Sequence, residues 1–200
     1  MDAMAKINWA KYTHNPVAAL APQAGTWRAD ASMTVDILLR GDRYLNFYVG
    51  KAGGKDSIGV AWCLVNGFDG ASWVDYPDNP VLSPGKPGSY DSRHIVDPAS
   101  VEWDGKIYLY YSALGDDPDS LGLAISEDGL HFTKLEKPVL VGRAPEVVKA
   151  NDTLYLFYSL ESPKGGYEFH LATSKDGINF NTEGPVFSPA PTGWDSLSVV

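Results

Sequence analysis

Three acidic residues, Asp30, Asp97 and Glu146, stand at the head of three similar stretches of sequence. In each stretch the acid precedes a strand-like run, a tight turn and a second strand rich in aromatic residues, which is the pattern of a β-hairpin. Cleavage of a glycosidic bond uses one protonated carboxyl to donate to the leaving oxygen and one carboxylate to activate water, and a third acid nearby raises the pKa of the donor. The three acids therefore predict a glycosidase-type site, provided that the fold brings them together.

The second half of each stretch also repeats. A strand of small residues is followed by an Asp-Gly pair, an aromatic residue and a Pro-Val pair, and the Asp-Gly pairs begin at Asp69, Asp128 and Asp176. A unit of roughly 40 to 50 residues with four short strands is typical of a propeller blade, in which glycine allows the turns. We predict blades at 18–82, 90–140 and 141–187, with their inner strands around one axis.

The two ends of the chain resemble parts of further blades. The segment from Ile7 to Val17 resembles an isolated outer strand, and Gly193 to Val200 resembles the opening of a fourth inner strand. Three blades with these pieces do not close a ring. We therefore expect residues 1–200 to form a single propeller domain that is incomplete at its C-terminal side, and to self-associate if the chain truly ends at Val200.

Composition narrows the possible partners. The 200 residues carry a formal charge of −9 and no basic cluster, which argues against a nucleic-acid partner. There is no apolar leader and no membrane-length apolar segment, so we expect no membrane partner and a cytoplasmic protein, or a secreted one whose signal peptide is absent from this sequence. Cys63 is the only cysteine, so no intrachain disulfide forms. We expect no cofactor and no metal.

Several residues near the predicted inner strands could bind a sugar. Indole rings stack on sugar rings, and cationic or imidazole groups bind hydroxyls or brace a carboxylate, although a surface salt bridge is an equally good reading of the cations. The predicted substrate-binding residues are Trp27, Arg93, His94, Trp194 and Asp195.

The motifs Val96-Asp97-Pro98 and Ala144-Pro145-Glu146, together with the repeated Ser-x-Asp-Gly-x-x-Phe tails, resemble the five-bladed propeller glycosidases. These include the family 43 arabinofuranosidases, xylosidases and arabinanases and the related family 32 fructosidases. The resemblance implies an all-β, five-bladed β-propeller acting on plant-type or microbial oligosaccharides. It further implies that Asp30 is the general base, Asp97 the residue that orients and tunes the acid, and Glu146 the general acid, with inversion at the anomeric carbon.

Other functions fit the same pattern. A retaining fructosidase-like enzyme and a mannoside-phosphorylase-like enzyme share much of it, as does a non-catalytic propeller that only binds carbohydrate. A scaffold for protein partners is a further alternative, but it has no need of an acid in each of three blades.

Overall fold

The computed structural model describes residues 18–115, 118–163 and 165–198, together with Ala10 and Thr13. This part of the chain contains thirteen strands and one short 3-10 helix, Ala18–Leu20, and no α-helix. The prediction of an all-β fold is confirmed. None of the helical structure in these ranges has the length and apolar character needed to cross a membrane.

The strands form three consecutive antiparallel units that match the three predicted blades. A single parallel bridge, from Asp56 to His94, joins blade one to blade two. Blade one contains β1 (Ala31–Arg40), β2 (Arg43–Ala52), β3 (Lys55–Leu64) and β4 (Val74–Asp75). Blade two contains β5 (His94–Trp103), β6 (Lys106–Leu114), β7 (Ser120–Ser126), β8 (Thr133–Lys134) and β9 (Leu140–Val141). Blade three contains β10 (Arg143–Ala150), β11 (Thr153–Glu161), β12 (Tyr167–Ser174) and β13 (Asn181–Phe187).

The first two strands of each blade are joined by the tight turns expected from the sequence. Gly41, Asp104 and Asn151 all have positive φ values, of 60°, 50° and 54°. Glycine, asparagine and aspartate tolerate this left-handed conformation better than other residues, and the hairpin turns that match strand twist require it. The turn residues therefore determine where each first strand ends.

The blades pack face to face through alternate side chains. On β6, Ile107, Leu109 and Tyr111 belong to the core shared with blade one, whereas Tyr108 and Tyr110 belong to the core shared with blade three. Successive side chains of a strand point to opposite faces, so a strand buried on both sides contributes to two cores. This explains why β6 is apolar nearly throughout.

The Asp-Gly pairs that follow β7 and β12 are structural turns, as predicted. The Asp176 carboxylate accepts hydrogen bonds from the backbone amides of Ile178 and Asn179, at 2.8 Å each, and from the Asn179 side chain at 2.7 Å. These bonds lower the pKa of Asp176, the side-chain bond from Asn179 first. Asp128 holds the equivalent turn in blade two in the same way.

The first strands of the three blades lie side by side. β5 lies between β1 and β10 and contacts both of them. These three strands are therefore the inner strands, and residues at equivalent positions along them face a common axis.

One face of β1 has no packing partner within the described ranges. Its alternate apolar residues Met33, Val35, Ile37 and Leu39 are exposed. Exposed apolar stripes of this kind often mark a surface that packs against another sheet. Self-association through this face stays a prediction.

The predicted outer strand from Ile7 to Val17 lies outside the described residues. At the other end, the backbone amide of Ala190 donates to the carbonyl of Asp195 at 3.3 Å. In the segment that leads into β5, the amide of Gly85 donates to the carbonyl of Asp91 at 3.0 Å and closes a turn that is one residue longer. The prediction that Gly193 to Val200 opens a fourth inner strand stays a prediction.

Candidate active site

Each inner strand contains a β-bulge at the same distance from its hairpin turn. The register shifts between Met33 and Val35 in β1, between Val96 and Ala99 in β5, and between Arg143 and Glu146 in β10. A bulge bends the strand and redirects a side chain, and bulges are enriched beside active sites. The bulges therefore mark one level of the axis as the candidate active site.

Two carboxylates occupy equivalent positions between these bulges and the hairpin turns, Glu146 directly after its bulge and Asp36 one residue further on. Asp36 pairs with Phe47 and Glu146 pairs with Phe157, and each acid lies four residues before the last residue of its strand. Ala99 holds the equivalent position in β5. The fold therefore brings Asp36 and Glu146 to one level of the axis, on either side of blade two.

Asp36 is held in place by the neighbouring inner strand. Its Oδ2 accepts a hydrogen bond from the backbone amide of Ser100 at 2.8 Å and a second one from the Ser100 hydroxyl. Burial raises the pKa of Asp36, and the two bonds from Ser100 counteract part of that rise. Both bonds from Ser100 go to the same oxygen, Oδ2, and so fix the position of the carboxylate against β5.

Glu146 has the electrostatic properties expected of a proton donor. Its side chain is exposed overall, yet its carboxyl group is partly buried. Partial burial first, and the negative charge of Asp36 second, raise the pKa of Glu146 above its usual value. A raised pKa keeps part of the carboxyl population protonated nearer neutral pH, as general acid catalysis requires.

The effect of Asp36 on Glu146 can be measured without any substrate. We expect Asp36→Asn to lower the pKa of Glu146, because the substitution removes the neighbouring negative charge. A pH titration of the side-chain carboxyl carbon of Glu146 by NMR would report this shift. Asp30→Asn is the control and should leave the Glu146 titration in place, and an equal shift in both variants would contradict the proposed pairing.

Asp30, the base predicted from the sequence, lies at the other end of β1. Its Oδ2 accepts a hydrogen bond from the amide of Gly53 at 2.9 Å, and its own amide donates to the carbonyl of Lys51 at 2.8 Å. A strand rises about 3.3 Å per residue, so Asp30 lies roughly 20 Å along β1 from Asp36. The structure thus gives Asp30 a contact with the β2–β3 turn and does not bring it to the level of Glu146.

Asp97 lies within the bulge of β5 in a left-handed conformation, with a φ of 51°. Its Oδ2 accepts a hydrogen bond from the Ser112 hydroxyl at 2.8 Å. Non-glycine residues in this region are uncommon and are often found at functional sites. Asp97 therefore lies on an inner strand, two residues before Ala99, which holds the position equivalent to Asp36 and Glu146.

Arg143 provides a positive charge next to Asp97. Partial burial lowers the pKa of Arg143. The hydrogen bond from its guanidinium to the Tyr167 hydroxyl, at 3.1 Å, and the charges of Asp119 and Asp97 outweigh that effect, so the net shift of the pKa is upward. The guanidinium also lies 3.7 Å from the Asp119 carboxylate. Arg143 therefore remains charged and borders both the axis and a cavity of about 570 Å³, whose wall includes Tyr167 and His170.

Trp27, predicted to stack on a sugar, packs against the protein itself. Its ring lies over Gly50 and Gly59 and is 5.3 Å from the ring of Tyr48, centroid to centroid. The neighbouring Arg28 is buried and bonds to the Tyr48 hydroxyl at 2.9 Å. Trp27 thus packs on blade one but stays partly exposed, and its sugar-binding role stays a prediction.

The packing of Trp27 leads to a stability prediction. A Cβ atom at Gly50 would overlap the Trp27 ring, so Gly50→Ala should destabilise the protein by about 1–3 kcal/mol through overpacking. Urea unfolding would measure the change. The Trp27→Ala/Gly50→Ala double variant should lose less than the sum of the two single losses, and simple additivity would argue against the overlap.

The remaining predicted binding residues lie in different surroundings. Nδ1 of His94 is 2.8 Å from Oδ2 of Asp56, at the junction of blades one and two. Arg93 is exposed just before β5, and its amide donates to the carbonyl of Leu114. Trp194 is 97% exposed and Asp195 is half-buried, both in the turn after β13. A binding role for these four residues stays a prediction.

Asp36 is a candidate site residue that the sequence did not lead us to predict. The signal was available in the distance to the hairpin turn, since counting back from the ends of β1 and β10 aligns Asp36 with Glu146.

Within the described ranges, no group of three or more His, Cys, Asp or Glu side chains is placed to hold a metal ion.

Comparison with known proteins gives no match to a family model. A curated 1,2-beta-oligomannan phosphorylase from Thermoanaerobacter sp. (strain X514) is 28% identical in an alignment of 128 residues that covers 54% of this chain and 43% of that protein. The chain thus aligns with less than half of this relative.

Solved structures share the fold over most of the chain. Zg3597, a family 117 glycoside hydrolase from Zobellia galactanivorans, aligns with a TM-score of 0.71 and 24% identity, over 88% of this chain and 53% of that one. A second structure aligns with a TM-score of 0.67 and 15% identity, over 88% of this chain and 60% of that one. It belongs to the GH130 family of mannoside phosphorylases, which contains glycoside hydrolases that target beta-1,2 mannosidic linkages in Candida mannan. The families named by these structures are 117 and 130, and the resemblance to families 43 and 32 stays a prediction. The chain has the fold of the propeller-type glycoside hydrolases.

Proposed function

We propose that this chain carries the acid/base carboxyls of a carbohydrate-active enzyme that cleaves glycosidic bonds. The observation that carries the proposal is the pairing of Asp36 and Glu146 at one level of the propeller axis, where the charge of Asp36 helps to raise the pKa of Glu146. Two carboxyls with different environments are the requirement for acid/base cleavage of a sugar linkage. The sequence relative and the solved structure described above are named as carbohydrate-active enzymes, which supports the proposal.

In the proposed hydrolysis, Glu146 donates its proton to the leaving glycosidic oxygen while the bond from that oxygen to the anomeric carbon breaks. Asp36 accepts a proton from a water molecule, whose oxygen bonds to the anomeric carbon from the opposite face. An inverting enzyme of this kind needs its carboxyls about 6.5–9.5 Å apart, to leave room for the water. The base role that the sequence suggested for Asp30 is thus proposed for Asp36.

Asp97 is proposed to orient the substrate and to tune the acid, the role suggested by its motif. Its position in the bulge of β5 places it between the strands that carry the two reacting carboxyls. Besides its hydrogen bond from Ser112, Asp97 interacts electrostatically with the nearby positive charge of Arg143.

A phosphorylase is the second candidate, and Arg143 is the observation in its favour. In that reaction an oxygen of inorganic phosphate, instead of water, bonds to the anomeric carbon, and the products are a sugar 1-phosphate and the shortened glycan. A permanently charged guanidinium beside the axis could bind the phosphate. The similarity to the oligomannan phosphorylase also supports this candidate.

The experiment uses the full-length protein and measures turnover of β-mannosides, arabinosides, xylosides and fructosides, with and without inorganic phosphate. Free reducing sugar independent of phosphate would support hydrolysis, with the anomer of the first product deciding between inversion and retention. A sugar 1-phosphate that forms only with phosphate would support the phosphorylase. Binding of these glycans without any turnover, equal in the wild type and in Glu146→Gln, would instead support a carbohydrate-binding propeller.

A further inference from the structure

The hydroxyl of Ser112 connects the inner strands of blades two and three. Ser112 lies on β6 and is fully buried. Its Oγ donates a hydrogen bond to Oδ2 of Asp97 at 2.8 Å and accepts one from the backbone amide of Ala144, on β10, at 2.7 Å. A serine hydroxyl has one proton to donate, and here that proton is used on a carboxylate.

Both partners of Ser112 lie in strained bulges. Asp97 has a φ of 51° and Ala144 a φ of 49°, and each is followed by a proline that cannot donate to the sheet. Left-handed conformations of non-glycine residues persist only where surrounding contacts hold them. The two bonds to Ser112 are contacts of this kind, and they act on both bulges at once.

The bulges determine where the acids of the site point. Asp97 is itself the residue in the first bulge, and regular pairing in β10 resumes at Glu146, directly after the second bulge. A change in the backbone at Ala144 is therefore transmitted to Glu146 through Pro145 alone. The geometry of Asp97 relative to Glu146 depends on the shared hydroxyl.

We propose that Ser112 is a positioning residue that holds the Asp97 bulge and the Glu146 strand in one fixed arrangement. The catalytic consequence rests on the function proposed above, but the link between the two blades does not depend on it. Because Ser112 faces neither the axis nor the solvent, its role is to act through the two bulges.

Blade three supplies a matched control. Ser159 on β11 pairs with Arg143 as Ser112 on β6 pairs with Val96, and both serines are fully buried. The Oγ of Ser159 has no hydrogen-bond partner among the described residues. Removing an unpaired buried hydroxyl costs little or even stabilises, whereas removing one that bonds a carboxylate and a buried amide leaves both partners unsatisfied.

The first arm of the test measures thermal unfolding of the full-length protein. We expect Ser112→Ala to lower Tm by about 4 °C or more, and Ser159→Ala to change it by less than about 2 °C. The Ser112→Ala/Asp97→Ala double variant should lose less than the sum of the single losses, because both substitutions break the same bond. Equal losses in the two serine variants, or strict additivity in the double variant, would overturn the link whether or not the protein has enzymatic activity.

The second arm measures kinetics on the substrate found for the wild type. We expect Ser112→Ala to lower kcat by about tenfold to a hundredfold with KM nearly unchanged, since small displacements of a reacting group cost rates of this size. The loss should be greater for poor leaving groups than for activated aryl glycosides, because Glu146 is displaced, and Ser159→Ala should show neither effect. A uniform loss on all substrates would overturn the positioning role. A wild type without turnover would refute the proposed function, and the unfolding arm would still decide the link.

Discussion

Replacing Glu146 with glutamine is expected to lower kcat/KM by roughly 10²–10⁴ on substrates with poor leaving groups, the usual contribution of a positioned general acid. Activated aryl glycosides need little protonation of the leaving oxygen, so their turnover should fall by about tenfold at most. Glutamine keeps the size of the side chain and removes only the proton that can be donated. Steady-state kinetics on an alkyl and a nitrophenyl glycoside of the same sugar would measure the difference.

The pH profile provides an independent readout of the same residue. Burial and the charge of Asp36 raise the pKa of Glu146, so the protonated form persists to higher pH than for an ordinary glutamate. Activity should be present below this raised pKa and be lost as the pH rises through it, which places the alkaline limb of kcat/KM at Glu146. The limb should disappear in Glu146→Gln. An unchanged alkaline limb, or equal losses on both glycosides, would show that Glu146 is not the acid.

Replacing Asp36 with asparagine is expected to lower kcat/KM by roughly 10²–10⁴ on every substrate, whatever its leaving group, because activation of water is lost. Asparagine can still accept the bonds from Ser100, so the inner strand should keep its position. The two substitutions thus differ in how the loss depends on the leaving group.

Asp30→Asn is the matched control for this substitution. An asparagine at position 30 can still accept the hydrogen bond from the Gly53 amide, so its activity should stay within about threefold of the wild type. If Asp30→Asn abolished activity while Asp36→Asn left it intact, the base would be Asp30 as the sequence suggested, and the site derived from the strand register would be wrong.

The predictability of the site differed between its residues. Glu146 and Asp97 stand next to prolines, and Pro98 and Pro145 mark the bulges that bring both acids to the axis. In β1 the bulge lies between Met33 and Val35 and contains no proline, so the sequence signal for Asp36 was limited to its distance from the hairpin turn. Asp30 matched the pattern of an acid before a hairpin but bonds to the β2–β3 turn.

The surroundings of Trp27 also depend on distant parts of the chain, and its sugar-binding role stays a prediction. An indole at the head of an inner strand is a reasonable sugar platform, and in the structure its ring packs on Gly50 and Gly59 from strands β2 and β3 while remaining partly exposed. These glycines are more than twenty residues away in sequence, and nothing near Trp27 indicates that they leave room for the ring.

The sequence by itself determined the all-β class, the three blades and their hairpins. These features depend on local chemistry, because alternation of side chains and the left-handed tolerance of Gly, Asp and Asn act within a few residues. Only the tertiary structure decided which carboxylates meet. Asp36 and Glu146 lie on strands of different blades, and their shared level at the axis depends on how β1, β5 and β10 pack, which is a long-range property of the folded chain.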